Sequence, residues 1–445
     1  MTNAESSAQP LWRTRLESIT SSRWWRSPWL IVALFAVSRA WAVAAALGHM
    51  GYPAGHLVIN DVTLYSSWAQ ALANGMFPTH DPMWQYPPLA GPLFVLGSLL
   101  PPDPSAGFLL LAFLVDAATL AALIVAGRRT NRIAGAWLWA AAAFLVGPVF
   151  LTRFDVFPTA LVVMGLLLVA SRPGWAGALL GLGAALKVWP LLALAAVARP
   201  KLPRALTTFV LVAASASLGV AAAYGGQAWS FLSGQSERGL QVESVAALPF
   251  VIAHALGADV PTMFRFGSME LDVQGAGLAA LVATGVGALV LAWLAVARLL
   301  GRLESVPGAD VALATVAVSV VASRVFSPQY SVWLIGIGAA CLAARKTMMR
   351  TPIALICLAA VVTQPIYPPM YSGLINGEPL PTLLQTLRIL LVVAATTFAV
   401  VRVLARQSED AAASSSPRAV SGSPPASNVV SRSEIIGQRQ VDSIH

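Results

Sequence analysis

Charge is scarce in this 445-residue chain: Asp, Glu, Lys and Arg make up 11% of it, against roughly 25% in ordinary soluble domains. A water-soluble fold is excluded, because so apolar a chain cannot clothe its surface in polar groups. Cysteine is scarcer still. Cys341 and Cys357 both lie in apolar segments and form neither a disulfide framework nor a cluster of metal ligands. The histidines, His49, His56, His80, His254 and His445, share no metal-ligand spacing, so no metal site and no cofactor are expected. The apolar runs also lack the period-two alternation of a membrane β-barrel. What is abundant is continuous Ala, Leu, Val and Gly. At 57% hydrophobic residues and a mean hydropathy of +0.72, the chain reads as an all-α polytopic membrane protein. Its net charge of +9 is scattered at the ends of apolar runs, so no nucleic acid is expected as a partner.

The apolar runs predict about twelve transmembrane helices. They cover 29–48, 105–127, 133–152, 155–170, a broken pair at 174–186 and 188–199, 205–225, 276–297, 309–323, 329–344, 352–367 and 380–404. Residues 1–28, with Arg13, Arg15, Arg23 and Arg26, make a cytoplasmic start and not a removed signal peptide, and Trp24, Trp25 and Trp29 sit where an interfacial aromatic belt belongs. Residues 29–406 form the transmembrane domain. The tail 407–445, rich in Ser, Pro and Ala, is expected to be disordered in the cytoplasm.

Alternate threading places Arg128, Arg129, Arg132, Arg172, Arg199, Lys201, Arg298, Arg302 and Arg402 inside, as the positive-inside rule asks. Arg39, Arg153, Lys187, Arg238, Arg265, Arg324 and Arg388 break the rule and are therefore candidates for function. Acidic residues gather on the outer side, so chemistry is expected there, at a multi-pass protein of the cell membrane. Two outer loops, 49–104 and 226–275, are long enough to hold structure. The first should contain an interfacial helix around 62–74 and a short helix around 88–100, too short to span and laid on the membrane.

Five stretches carry polar groups suited to chemistry. Asn60-Asp61-Val62-Thr63-Leu64-Tyr65 is followed by Trp84-Gln85-Tyr86-Pro87-Pro88; Asp61 serves either as cap of the interfacial helix or as a general base for a sugar hydroxyl. Arg153-Phe154-Asp155 sits at an outer turn, either as a solvated salt bridge or as a fork for phosphate. Lys187-Val188-Trp189-Pro190 interrupts an apolar stretch that begins and ends on the inner side, so two half-helices should meet there. A lysine at that depth either snorkels or pairs with an anion. Ser323-Arg324-Val325-Phe326-Ser327-Pro328-Gln329-Tyr330 and Thr363-Gln364-Pro365-Ile366-Tyr367 are outer turns, read either as sites or as interfacial anchors. Asp116, in the middle of its span, needs a partner, and Arg39 is the candidate.

In their order and outer placement, the early Asp, the Tyr-Pro-Pro, the Arg-Phe-Asp turn, the Lys-Val-Trp-Pro break and the Ser-Pro-Gln-Tyr turn resemble glycosyltransferase family 87, over roughly residues 29–400. That family is a branch of the GT-C transferases. The resemblance implies a GT-C-like fold with loop helices on the extracytoplasmic face. It also implies an inverting transfer of mannose from polyprenyl phosphate mannose, typically in α-1,2 linkage, to a glycolipid or cell-envelope glycan among the membrane lipids. The catalytic base of such enzymes lies in the first outer loop, which here implies Asp61, with Asp81 and Asp155 as alternatives. Lys187, Arg324 and Arg153 are the cations expected around the donor phosphate. Tyr86, Asp155, Gln329, Tyr330 and Gln364 are the expected substrate contacts. A lipid or sugar transporter, and a noncatalytic scaffold, are the rival readings, although no inverted repeat supports the former.

Overall fold

The computed structural model describes residues 25–50, 52–232 and 237–415. It is an all-α membrane protein with one small β-hairpin. In chain order the helices are α1 (Pro28–Ala46), α2 (His56–Ala73), α3 (Ala90–Ser98), α4 (Pro104–Thr130), α5 (Ala134–Val146), α6 (Val149–Thr152), α7 (Val156–Leu168) and α8 (Pro173–Leu186). A 3-10 helix, Trp189–Ala196, precedes α9 (Leu202–Tyr224) and α10 (Leu248–Ala255). Strands β1 (Thr262–Arg265) and β2 (Ser268–Leu271) pair antiparallel, and α11 (Ala276–Leu299), α12 (Gly308–Ala322), α13 (Tyr330–Ala343), α14 (Arg350–Ile366), α15 (Tyr371–Ile375) and α16 (Pro379–Ser415) complete the fold.

Helix length divides the molecule. Among the described residues, five helices are long and apolar enough to cross a membrane: α1, α4, α9, α11 and α16. The other apolar stretches expected to span are shorter, because polar or proline-bearing turns cut them; α5 and α7 have 13 residues, α8 and α13 have 14, and α12 has 15. At about 1.5 Å per residue such helices reach only about 20 Å. The long helices lie at the periphery with apolar side chains exposed, as at Leu281 and Leu289 of α11, whereas α12 and α13 are almost wholly buried. Close approach of the inner helices depends on glycine. A Cβ on Gly135 of α5 would stand 2.1 Å from the Ala339 carbonyl oxygen of α13, and one on Gly177 of α8 would stand 2.0 Å from that of Ala205 on α9.

The two ends of the bundle differ. At one end Thr130 donates to the Ala343 carbonyl (2.9 Å), Arg298 to those of Val197 (2.8 Å) and Ala196 (2.7 Å), and Arg402 to the Thr351 hydroxyl (3.0 Å). This end gathers the arginines threaded to the inner side. The other end carries the loops 49–104 and 226–275 and the turns that follow α5, α12 and α14.

Several expectations are corrected. The interfacial helix begins at His56, a turn and a half early, so Asp61 lies inside it and does not cap it. Helix α3 packs one face against protein, with Ala90, Gly91, Phe94 and Gly97 buried and Gly97 against Phe108 of α4, while Leu96 stays exposed. The second loop contains a hairpin that an all-α reading did not foresee. Helix α16 runs on to Ser415, past the expected start of the disordered tail; residues 416–445, like Arg13, Arg15 and Arg23, lie outside the described residues.

The Arg39–Asp116 pair forms as expected. Both side chains are buried, Arg39 Nε stands 2.8 Å from Asp116 Oδ2, and the guanidinium also donates to the Ala140 (2.6 Å) and Trp139 (2.9 Å) carbonyls. The pair locks α1, α4 and α5 together. Asp116→Ala strands a buried guanidinium and is expected to destabilise the protein by about 3–5 kcal/mol, read as a fall in the midpoint of thermal unfolding in detergent. A loss below about 1 kcal/mol would show that water reaches the arginine.

Candidate functional site

The site sits where the short helices end. A cavity of about 760 Å³ opens among α2, the α6–α7 turn, the α8 break, the start of α13 and the second loop. Helix α2 is amphipathic, and Asp61, Leu64, Tyr65 and Trp68 recur at three- and four-residue steps, so one face of it forms a wall.

Arg153 and Asp155 diverge at the opposite wall. Helix α5 stops at Gly147, whose φ of +82° favours glycine. The carbonyls of Phe144 and Leu145 are satisfied by Gln364 Nε2, each at 2.9 Å. Gln364 is thereby occupied as a cap and does not line the cavity, contrary to the expected substrate contact. Beyond α6, Arg153 is extended and turns its guanidinium into the cavity, in direct contact with the Asp61 carboxylate and 2.7 Å from the Tyr367 hydroxyl. Asp155 points inward, 1% exposed, and does not line the cavity either. Its Oδ1 accepts from Lys187 Nζ (2.7 Å) and Trp333 Nε1 (2.6 Å).

The break after α8 delivers the lysine. Lys187 is extended (φ −155°), and Pro190, without an N–H, sits in the 3-10 helix that follows, as the sequence suggests. Its ammonium lies 5.0 Å from the ring of Trp333, 5.7 Å from Tyr330 and 5.8 Å from Tyr86. Trp189, Trp333 and Tyr330 stack in series at 4.8 and 3.9 Å. Such stacked faces suit a sugar's C–H surface, and the lysine beside them suits an anion.

Of the three carboxylates considered for the base, Asp61 alone lines the cavity. Asp81 is spent within its own loop, accepting from Trp68 Nε1 (2.7 Å) and the Met83 N–H (2.9 Å). Tyr86, Gln329 and Tyr330 line the cavity. Arg324 lies outside it; one of its guanidinium nitrogens donates to the Arg238 carbonyl at 2.9 Å.

The second loop supplies residues for which the sequence offered no role. Arg238 and Glu243 reach the cavity, as do Phe264, Phe266 and Met269 of the hairpin, and Gln85 Nε2 ties the first loop to it at the Phe266 carbonyl (3.2 Å). Glu243 is held by Arg388 (2.9 Å) and Gln241 Nε2 (2.8 Å), all three side chains buried. Burial pushes its carboxyl above the usual range, and Arg388 opposes that. Burial likewise raises the Tyr86 phenol, with Asp155 adding to it, so Tyr86 remains a neutral hydroxyl, 3.2 Å from that of Tyr65. Arg238 and Arg388 did stand out as basic residues on the wrong side, the one signal that could have found them. Among the described residues, no cluster of His, Cys, Asp or Glu could hold a metal ion.

A carboxylate, cations and aromatic faces thus line one cavity at one end of the membrane bundle. Residues 84–328, more than half of the chain, match glycosyltransferase family 87, and the chain belongs to that family. It is a membrane glycosyltransferase, with a sugar donor and an acceptor, and the transporter and scaffold readings give way. No curated protein and no solved structure matches it.

Proposed function

We propose that the enzyme is an inverting transferase that moves a sugar from a polyprenyl phosphate to a hydroxyl of a glycolipid or envelope glycan on the extracytoplasmic side. The family resemblance makes mannose, in α-1,2 linkage, the first sugar to test. One observation carries this reading: the polar cavity runs into an uncharged groove. Pro87, Val188 and Phe231 belong to both, and the groove continues between α8 and α9 past Ala184, Leu191, Phe209 and Ala213. An isoprenoid tail fits such a groove with its phosphate beside Lys187. The arginine-rich opposite end of the bundle supports the orientation, since cytoplasmic ends collect basic residues.

In this reading Asp61 takes the proton from the acceptor hydroxyl as its oxygen attacks the anomeric carbon. The bond from that carbon to the phosphate oxygen breaks with its electron pair, and the anomeric configuration inverts. The phosphate monoester leaves without needing a proton, its growing charge met by Lys187. Asp61 later returns its proton to water. Arg153 keeps the carboxylate aimed, and Tyr86, Gln329 and Tyr330 contact the sugar.

The test is incubation of purified protein with labelled polyprenyl phosphate mannose and a membrane lipid extract. Label is expected in a new glycolipid or glycan with wild type. Folded wild type that transfers nothing from this donor would sink the donor assignment.

A further inference from the structure

Among the described residues, three cations line the cavity, and they are not equally neutralised. Arg153 is in direct contact with Asp61, and Lys187 is 2.7 Å from Asp155. Among the described residues, the ion-pair partner of Arg238 is Glu270, at 3.8 Å, and there Arg238 Nε and Glu270 Oε1 are both buried without a hydrogen-bond partner. The Arg238 guanidinium also donates to the Phe266 carbonyl (3.2 Å) and, at the limit of a hydrogen bond, to the Ser268 hydroxyl (3.5 Å). The main chain that carries Arg238 is, by contrast, firmly fixed. Arg324 donates to its carbonyl at 2.9 Å, and Glu270 Oε2 accepts the next N–H, that of Gly239, at 3.1 Å. Gly239 has no room for a side chain, because a Cβ there would stand 2.7 Å from Glu270 Oε2. Arg238 lines the same cavity as Tyr86, Lys187 and Tyr330. A fixed stem with an under-satisfied tip is the arrangement of a cation kept for a ligand.

We propose that Arg238 binds the lipid phosphate at the transfer site, exchanging its loose contact with Glu270 for the phosphate oxygens, and that Arg324 and Glu270 position it. This rests on the lipid phosphate reading of the donor. It also gives Arg324 its place: the residue acts on the phosphate through Arg238 and does not touch it. Guanidinium forks onto phosphate in two parallel bonds, which the point charge of Lys187 cannot do, so the two cations divide orientation and charge between them.

The test measures binding of farnesyl phosphate and of farnesol to the full chain in phosphatidylcholine nanodiscs. Wild type is expected to prefer the phosphate ester. Arg238→Gln should weaken farnesyl phosphate about 10- to 100-fold, and Arg238→Lys less, with farnesol unchanged in both as the control for folding. Arg265→Gln removes a charge from the exposed side of the same hairpin and should change neither. Glu270→Gln still offers an oxygen to the Gly239 N–H but no longer competes for the guanidinium, so it should tighten farnesyl phosphate. A merely structural Glu270 would weaken it or leave it alone. For Arg324, Gln should raise the KM for donor more than it lowers kcat, and Lys should restore it. Wild-type affinity in Arg238→Gln, with loss in Lys187→Met, would overturn the assignment and leave the donor reading standing. Equal affinity of wild type for ester and alcohol would overturn both.

Discussion

Asp61→Asn is expected to slow sugar transfer about 100- to 10,000-fold, the contribution of a positioned general base. The amide has the shape of the carboxylate and can still accept from Arg153, so the contact across the cavity and the run of α2 should survive. What is lost is the ability to take a proton at that position. Single-turnover transfer from labelled donor reads the chemical step, and binding of the same donor reads the site's integrity. A fall of less than about threefold would move the base elsewhere. Glu243 would then be the carboxylate to test, as the other one on the cavity wall, although Arg388 and Gln241 already engage its oxygens.

Lys187→Met is expected to act twice. It leaves Asp155, 1% exposed, with Trp333 Nε1 as its remaining donor, and an unpaired buried charge costs about 3–5 kcal/mol. It also removes the positive charge that meets the departing phosphate, for which a loss of about 100-fold or more in transfer is expected. The double variant with Asp155→Asn separates the two effects. Neutralising the stranded carboxylate should recover most of the stability and none of the transfer, because the phosphate still lacks its cation. A double variant that is both stable and active would make Lys187 a structural peg.

Much of the fold follows from local pattern. Apolar runs mark the helices to within a few residues, and Pro190 marks the break after α8, since a missing N–H acts on the chain beside it. The rule that basic residues stay inside isolates Arg39, Arg153 and Lys187, because a charge on the wrong side needs a reason. The remainder depends on partners far along the chain. Glu243 is 145 residues from Arg388, and the Gln364 amide caps a helix 220 residues earlier; no periodicity encodes such pairings. The hairpin escaped for a different reason. Phe266 and Gly267 both adopt positive φ, 50° and 73°, as a two-residue turn requires, but a phenylalanine in the first position hides the signal that Asn or Asp would give. Arg238 did stand out by its charge, but its place at the cavity depends on that hairpin, through the Phe266 carbonyl and Glu270.

The short inner helices have a consequence for the cavity itself. The five long helices expose apolar side chains and have lengths that match about 30 Å of hydrocarbon. The missing height is internal. The inner helices are about 20 Å long where the long ones match about 30 Å of hydrocarbon, and the cavity opens where the short ones end. At Gly135 and Gly177 helix backbones meet with no space for a methyl group, so an alanine at either position would have to push the inner helices apart.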